Sequence, residues 1–237
     1  MRGDAAYLSA PERAWLRPEE VRRGWAYEAT KRALDVTIAA LVLGGLAPLW
    51  LLLAALVRLT SPGPALYRGT VVGRGGRPFT YYKLRTMAAD GDASTHRAFI
   101  AGYVRADQPF AEAVDAATGQ HRPVYKVLGD ERVTPLGRWL RRTSLDEVPQ
   151  LVNVLRGEMS LVGPRPPVLY EHELYDDWAK QRLLVRPGIT GVAQVRARGR
   201  ASFSQMVALD LAYIRQRSLW LDLRILLATP QAMLRGA

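Results

Sequence analysis

A run of 22 residues without a charged side chain, Val36 to Val57, constrains the fold of this chain more than any other feature. As an α-helix it would be about 33 Å long, which is enough to cross the hydrocarbon core of a membrane. A long, charge-rich stretch precedes the run and no small-residue cleavage site follows it, so it is not a cleaved signal peptide. The run therefore predicts a membrane-inserted segment.

Two features favour a helix–break–helix that enters and leaves the membrane on one face. Gly44, Gly45 and Pro48 lie in the middle of the run, and Pro48 removes a helical hydrogen bond and favours a kink. Basic residues flank both ends, which places both flanks on the cytoplasmic side: Arg22, Arg23, Lys31, Arg32, Arg58, Arg68, Arg74 and Arg77. We expect a re-entrant segment over 31–60 at the cytoplasmic face of the inner (plasma) membrane. A single transmembrane helix is the alternative.

The rest of the chain predicts one α+β unit, mainly helical, over 61–237, preceded by a polar interfacial arm over 1–30. Residues 88–123, rich in Ala, Asp, Gly and Gln, predict a weakly helical variable insert. The expected elements are a β-hairpin over Ala65–Thr86, a strand at Val124–Val127, and helices at Leu136–Arg142, Glu147–Leu155, Val168–Arg182, Phe203–Gln216 and Leu219–Leu234. The last helix has the composition of an interfacial amphipathic helix.

The amino-acid composition limits the kinds of partner and of catalytic or metal site that this chain can have. The formal net charge is +11, and of the 33 basic residues only Lys31, Lys83, Lys126 and Lys180 are lysines. Arginine suits planar, bidentate recognition of phosphate, so we expect an anionic partner: nucleic acid, a lipid surface or a phosphorylated substrate. The chain has no cysteine, which excludes disulfides, thiolate metal sites and cysteine nucleophiles, and its three histidines disfavour a histidine-rich metal site.

Two acidic motifs stand out. Asp90-Gly91-Asp92 has the Asp-x-Asp form that can hold a divalent metal and a sugar nucleotide, although such turns are common in loops. Asp146 and Glu147 are adjacent carboxylates where a helix is expected to open. Their structural alternative is simple helix capping, either by Ser144 with Glu147 or by Asp146 itself.

The surroundings of this second motif favour chemistry over capping. Arg165 stands between prolines, Lys83 and Arg85 end the predicted hairpin, and six basic residues lie between Asp177 and Asp210 without an acid. Carboxylates surrounded by cations suit phosphoryl transfer, in which one carboxylate attacks phosphorus while a divalent ion and arginines neutralise the phosphate oxygens. From Arg182 to Arg200 this stretch contains no aromatic residue, which disfavours nucleic acid as the partner.

Long strings of this sequence resemble the bacterial sugar transferase family, the monotopic phosphoglycosyl transferases that act on polyprenyl phosphate. The strings are GDERVTPLGRWLRRT from Gly129, SLDEVPQLVNVLRGEMSLVGPRP from Ser144, RPGITGVAQV from Arg186 and LDLAYIRQRSLWLDLRILL from Leu209. The upstream strings KRALDVTIAALVLGGLAPLW, SPGPALYR and KLRTM extend the resemblance. Because the chain carries only a polar arm before the uncharged run, it resembles the compact type of the family.

The resemblance implies the reaction and its residues. Asp146 would attack the β-phosphate of a UDP-sugar, release UMP and carry the phosphosugar, while Glu147 would act as a base or position Mg²⁺ and the polyprenyl phosphate. Arg141, Arg165, Lys83 and Arg85 match phosphate-handling positions of the family, and Pro48 matches the break of its re-entrant helix. The resemblance implies Mg²⁺ as cofactor, held at the two carboxylates. Membrane lipids are expected partners, and a homodimer is left open.

Three departures from the family pattern affect what can be inferred about the donor. Glu131 replaces the usual proline after Asp130, Ala193 replaces a common tryptophan, and the segment after Val195 is arginine-rich. The last two lie where we expect nucleotide or sugar contacts, so the sequence does not identify the sugar. A non-catalytic basic module at a membrane surface, binding anionic lipid or nucleic acid, is the competing hypothesis.

Overall fold

The computed structural model describes residues 13–88, 94–114, 121–125, 129–197 and 199–235. These residues form a mainly helical α+β protein, as the sequence predicts. The helices are α1 (Pro18–Val21), α2 (Trp25–Gly45), α3 (Ala47–Thr60), α4 (Ser94–Ala106), α5 (Pro135–Thr143), α6 (Leu151–Arg156), α7 (Leu169–His172), α8 (Asp177–Lys180), α9 (Val192–Ala197), α10 (Phe203–Gln216) and α11 (Leu219–Arg235). The strands are β1 (Leu66–Val72), β2 (Pro78–Leu84), β3 (Ala111–Val114), β4 (His121–Val124), β5 (Ser160–Val162) and β6 (Gly188–Thr190).

The uncharged run folds as two helices with a break between them. Within the described chain no single helix is long and apolar enough to span a membrane, whereas the segments Pro18–Gly45 and Ala47–Thr60 qualify together and are bent by 65°. The break lies at Leu46, whose φ of −106° and ψ of 18° leave the helical region. Pro48, where the sequence predicts the break, instead lies in the first turn of α3, where a missing N–H breaks no helical hydrogen bond.

The first half of α2 belongs to the protein core. Lys31 Nζ donates to Asp222 Oδ2 at 2.7 Å, and Asp35 Oδ1 accepts the N–H of Leu161 at 3.1 Å. Arg32 donates to two carbonyl oxygens in the last turn of α6, where a cation also complements the helix dipole. Helix α2 therefore continues from a polar, buried base into the apolar run.

Leucines and tryptophans are exposed on the helix pair and on α11. Leu41, Leu51 and Leu59 are 68%, 73% and 82% exposed. On α11, Trp220, Leu223 and Leu227 are exposed. Most of the largest fully buried side chains lie in the rest of the protein, among them Trp178, Leu140, Met159, Leu211 and Ile214, although Val57 of α3 is buried as well. The exposed apolar surface has the composition of a lipid-facing one.

The predicted hairpin is present, and it supports the site. Strands β1 and β2 pair antiparallel from Leu66 opposite Leu84 to Val72 opposite Pro78. Helix α5 passes directly over the end of this hairpin, because a Cβ at Gly137 would lie 2.1 Å from the carbonyl oxygen of Thr86. Only glycine permits this approach, which brings the basic side chains of α5 to the end of β2.

Several predicted elements differ from those observed. The helix expected at Val168–Arg182 is instead α7, α8 and a 3-10 helix over Gln181–Leu184, because the side chain of Asp176 accepts the N–H of Ala179 and starts a new helix. The helix expected at Glu147–Leu155 begins earlier, as a 3-10 helix over Leu145–Gln150. The described part of the predicted insert contains α4, β3 and most of β4. Strand β4 ends at Val124, and Lys126 and Val127 of the strand expected at Val124–Val127 lie outside the described residues.

Candidate active site

A tight reversal of the backbone places the two adjacent carboxylates. Ser144 adopts the left-handed conformation, with φ 56° and ψ 18°, and turns the chain from α5 into the 3-10 helix that carries Asp146 and Glu147. The Ser144 side chain does not cap this helix, and the hydrogen bonds of the Glu147 carboxylate go to two cationic side chains. The capping box that the spacing of Ser144 and Glu147 allowed is therefore not formed, and Asp146 is not the N-cap either, since that position is Ser144.

Glu147 is held between two cations that come from distant parts of the chain. Lys83 Nζ, near the end of β2, lies 2.6 Å from Glu147 Oε1, and Arg165 Nη1 lies 3.3 Å from the same oxygen. Burial alone raises the pKa of Glu147, but the charges of Lys83 and Arg165 outweigh it and lower the pKa to about 2. Glu147 is therefore ionised throughout the neutral range.

Asp146 has the opposite environment. The residue is 5% exposed, and within the described ranges its carboxylate forms neither a hydrogen bond nor an ion pair. Burial raises its pKa to about 6, with the neighbouring Glu147 adding to the rise and Lys83 opposing it. Burial and the two cations thus set the pKa values of these adjacent carboxylates apart, at about 6 and about 2, a separation that is typical of sites where two carboxyl groups have different tasks.

The loop that carries Arg165 is fixed by backbone hydrogen bonds on both sides. The Pro164 carbonyl accepts the N–H of Gly188 at 2.9 Å, and the Pro167 carbonyl accepts the N–H of Val72 at 2.9 Å. The carbonyl of Arg165 itself accepts from Arg182 Nη2 at 3.2 Å. Its guanidinium is half exposed while its backbone is held by these hydrogen bonds, which suits recognition of a ligand phosphate.

The other predicted phosphate-handling residues divide into two groups. Arg141 extends from α5 with an exposed side chain, donates through Nε to Thr86 Oγ1 at 2.8 Å, and opposes the rise in the pKa of Asp146. Arg85 is 7% exposed, and its guanidinium donates to the carbonyl oxygens of Ser61 and Pro62, after the end of α3. The structure thus brings Arg141 towards the carboxylates and directs Arg85 to the base of the helix pair.

The basic stretch between Asp177 and Asp210 does not form one phosphate-binding face. Arg182 and Asp210 are paired at 2.7 Å with both side chains 2% exposed, and Lys180 pairs with Asp177 on the surface. Ala193 packs in a buried apolar cluster with neighbours on α9 and α10. Asp90-Gly91-Asp92 lies outside the described residues.

Sequence reasoning missed a cavity of about 140 Å³ that borders Arg165. Gln150, at the end of the same 3-10 helix as Asp146, lines it together with Tyr81, His96 and Glu171. Gln150 occurs in one of the resembling strings, but nothing in the local pattern separates a cavity-lining amide from an ordinary helical one. Its role depends on contacts between residues far apart in sequence.

Among the described residues, no group of three or more His, Cys, Asp or Glu side chains could hold a metal ion. The two carboxylates nevertheless fit Mg²⁺, since this ion commonly binds through one or two carboxylates together with substrate phosphates. The Asp146 carboxylate, which forms no bond with the described protein groups, is the available ligand, whereas Glu147 Oε1 already accepts from two cations.

Comparison with known proteins identifies relatives of this chain. The family model for "Bacterial sugar transferase" matches residues 26–236. The UDP-glucose:undecaprenyl-phosphate glucose-1-phosphate transferase of Caulobacter vibrioides is 43% identical over 227 residues, which cover 92% of this chain and 75% of that protein. The exopolysaccharide production protein ExoY of Sinorhizobium fredii is 42% identical over 204 residues, 86% of this chain and 85% of that protein.

A third relative, the undecaprenyl-phosphate galactose phosphotransferase of Salmonella typhimurium, is 37% identical over 205 residues, which cover 86% of this chain and 40% of that protein. The family match extends from the start of α2 to the end of α11, so it includes the helix pair, both carboxylates and the Arg165 loop. The chain belongs to the bacterial sugar transferase family.

Proposed function

We propose that this protein transfers a sugar 1-phosphate from a UDP-sugar to undecaprenyl phosphate and releases UMP, the first step in assembling an exopolysaccharide or related glycan. The activities by which the relatives are named support this reaction class. The observation that carries the catalytic assignment is Asp146, a carboxylate 5% exposed and without a bond to any described protein group, beside a Glu147 fixed by two cations.

In the first step, an oxygen of the Asp146 carboxylate attacks the β-phosphorus of the UDP-sugar. A bond forms between that oxygen and phosphorus, and the bond from the β-phosphorus to the bridging oxygen breaks. UMP leaves with the bridging oxygen and its electron pair, and the sugar phosphate stays on Asp146 as an acyl phosphate. Lys83 and Arg165 place positive charge where the transferred group and the leaving phosphate gain negative charge.

In the second step, a phosphate oxygen of undecaprenyl phosphate attacks the same phosphorus and the Asp146 carboxylate leaves. The product is a diphosphate that links the sugar to the lipid. The attacking oxygen is already anionic at neutral pH and needs little help from a base. With a pKa of about 2, Glu147 is a weak base, so we assign to it the positioning of Lys83 and Arg165.

Mg²⁺ is part of this proposal as a cofactor. Asp146 and the free oxygen of Glu147 would hold it together with donor phosphate oxygens, and when bound it neutralises charge on those oxygens. Side chains of the protein orient the phosphates and exclude water. Arg141 and Arg165 orient the phosphates, and the buried position of Asp146 keeps water from competing for the phosphorus.

The lipid acceptor fits a monotopic placement of the protein at the cytoplasmic face of the inner membrane. The apolar helix pair α2–α3 would enter and leave that face, with α11 lying on it through Trp220, Leu223 and Leu227. The buried base of α2 packs against α6, which directly follows the 3-10 helix of Asp146. This arrangement keeps the reacting carboxylate in the protein domain and near the lipid surface.

The test is UMP release by purified protein in nanodiscs with undecaprenyl phosphate, Mg²⁺ and a panel of UDP-sugars. We expect turnover with a donor from the panel, lost in Asp146→Asn and in the presence of EDTA. Without acceptor, mass spectrometry of the wild type should show a sugar phosphate on the peptide that contains Asp146. Turnover by Asp146→Asn equal to that of the wild type would overturn the assignment. The competing non-catalytic module predicts no turnover at all.

A further inference from the structure

A cavity beside the phosphate-handling cluster has the properties of a sugar site. Its volume is about 140 Å³, and its polar lining consists of Tyr81, His96, Gln150, Arg165 and Glu171. Pockets that enclose drug-sized ligands are generally about 300–1,000 Å³, so this cavity fits one ring of the donor and not the whole molecule.

Gln150 is the observation that points most directly to a ligand. The residue is 3% exposed and lines the cavity, and its side chain forms no hydrogen bond with another described residue. The amide can both donate to and accept from a ligand hydroxyl group that enters the cavity, so it suits recognition of one.

Glu171 lines the same cavity and is held in place by hydrogen bonds. Tyr175 donates its hydroxyl to Glu171 Oε1 at 2.5 Å, and Arg182 Nη1 donates to the Tyr175 oxygen at 2.5 Å. Arg182 is paired in turn with the buried Asp210. This chain of hydrogen bonds fixes the carboxylate and leaves its second oxygen to accept from a ligand. The buried Arg182–Asp210 pair therefore supports the site instead of binding substrate phosphate.

The position and charge of the cavity favour the sugar of the donor over its nucleotide. Arg165 lines the cavity and also contacts Glu147, so a group in the cavity is next to the phosphate that Asp146 attacks, as the sugar is. The carboxylate of Glu171 repels the α-phosphate but accepts hydrogen bonds from neutral hydroxyl groups. Ile100 and Ile189 supply apolar wall that can cover the C–H face of a pyranose ring.

We infer that this cavity binds the hexose of the donor, with Gln150 and Glu171 as the residues that contact its hydroxyl groups and select among donors. The inference rests on the proposed function. It also assigns a role to α4 in the insert, because His96 and Ile100 of that helix close one side of the cavity. His96 is fixed there by a hydrogen bond between its Nδ1 and the hydroxyl of Tyr170 at 2.6 Å.

The experiment compares Glu171→Gln and Gln150→Met with wild type and with Glu173→Gln, a matched control that makes the same charge change at an exposed position outside the cavity. The measured quantities are KM and kcat for UMP release, the inhibition constant of UDP, which lacks the sugar, and the melting temperature. Glu171→Gln keeps an oxygen that can accept from Tyr175, so the fold should be retained.

We expect KM for the UDP-sugar to rise about tenfold or more in both cavity variants, as for loss of one hydrogen bond to a charged or buried group, with the inhibition constant of UDP unchanged. The ratio of kcat/KM for two donors that differ in one hydroxyl should also change, which a purely structural defect would not cause. Glu173→Gln should behave as wild type.

Three other results overturn the inference. An unchanged KM and donor ratio in both cavity variants would refute it while leaving the proposed function intact. A parallel rise in KM and in the inhibition constant of UDP would place the nucleotide, and not the sugar, in the cavity. Absence of turnover by the wild type across the panel would refute the proposed function and this inference with it.

Discussion

Neutralising the two adjacent carboxylates should change stability in opposite directions. The pKa of Asp146 rises from 3.8 to about 6 because the group is buried, so the folded state holds its proton more tightly than the unfolded state does. As the pH rises through this interval, the unfolded chain releases the proton first and the folded state loses stability. At about 1.4 kcal/mol per pKa unit, the loss above pH 6 is about 3 kcal/mol.

Asp146→Asn removes this titration. We expect the variant to gain stability relative to the wild type as the pH rises from 4.5 to 7.5, reaching about 3 kcal/mol, or on the order of 6–12 °C in Tm for a chain of this size. The Asn variant is then inactive yet more stable, as expected for a residue whose environment serves reactivity.

Glu147→Gln should instead lower the stability of the fold at neutral pH. Its pKa is lowered from 4.5 to about 2 by Lys83 and Arg165 against the effect of burial, so the ionised carboxylate stabilises the fold above pH 4.5 and that contribution is lost as the pH falls towards 2. Replacing it leaves two cations without their counter-ion, and we expect a loss of about 3–5 kcal/mol at pH 7.5.

The assay is thermal unfolding in a non-ionic detergent at pH 4.5, 6 and 7.5. Asp177→Asn provides the control, because its side chain is 85% exposed and the same substitution there should shift Tm little at any pH. The reasoning would be refuted by an Asp146→Asn variant that is less stable than the wild type at pH 7.5, or by a Tm difference that does not depend on pH.

Three further predictions follow from the same contacts. The kcat/KM for UMP release should rise with pH around a midpoint near 6, since Asp146 must be ionised to attack, and a flat profile from pH 5 to 8 would contradict this. Arg182→Met should cost about 3–5 kcal/mol by leaving Asp210 buried and unpaired, visible as lost folded protein, while Arg182→Met combined with Asp210→Leu should recover part of it. Because the chain has no cysteine, Arg22→Cys and Arg68→Cys can be labelled singly with a membrane-impermeant maleimide; both should react from the cytoplasmic side, and labelling from opposite sides would indicate a span.

The elements that the sequence predicts well are those with strong local signals. Helix α10 begins and ends as predicted, at Phe203 and Gln216, and Ser202 and Gln205 form a capping box at its start. The hairpin is likewise defined by its β-rich runs and glycine-rich turn. Strands β5 and β6 were missed because each has three residues and their pairing joins segments 28 residues apart.

The sequence names the residues of the candidate site but does not predict how they are arranged. The spacing of Asp146 and Glu147 indicates a charged pair, yet only the tertiary structure shows that Lys83 and Arg165 both bind Glu147 and leave Asp146 unpaired. Arg85 is two residues from Lys83, but it follows the end of β2 and turns to carbonyl oxygens after α3. The number of charged residues in the sequence does not show that Lys83 and Arg85 have different partners. Those partners depend on where each strand or helix ends in the folded protein.

The buried base of α2 has a practical consequence for shortening the protein. Deleting the apolar helix pair together with that base would remove Lys31 and Asp35 from the interior, leaving Asp222 without its counter-ion and the N–H of Leu161 without its acceptor. Each loss leaves a polar group, which has a partner in the intact fold, without that partner. A water-soluble catalytic fragment therefore cannot be obtained by truncation at the membrane segment, and any surface redesign must keep α2 whole and change only its exposed leucines.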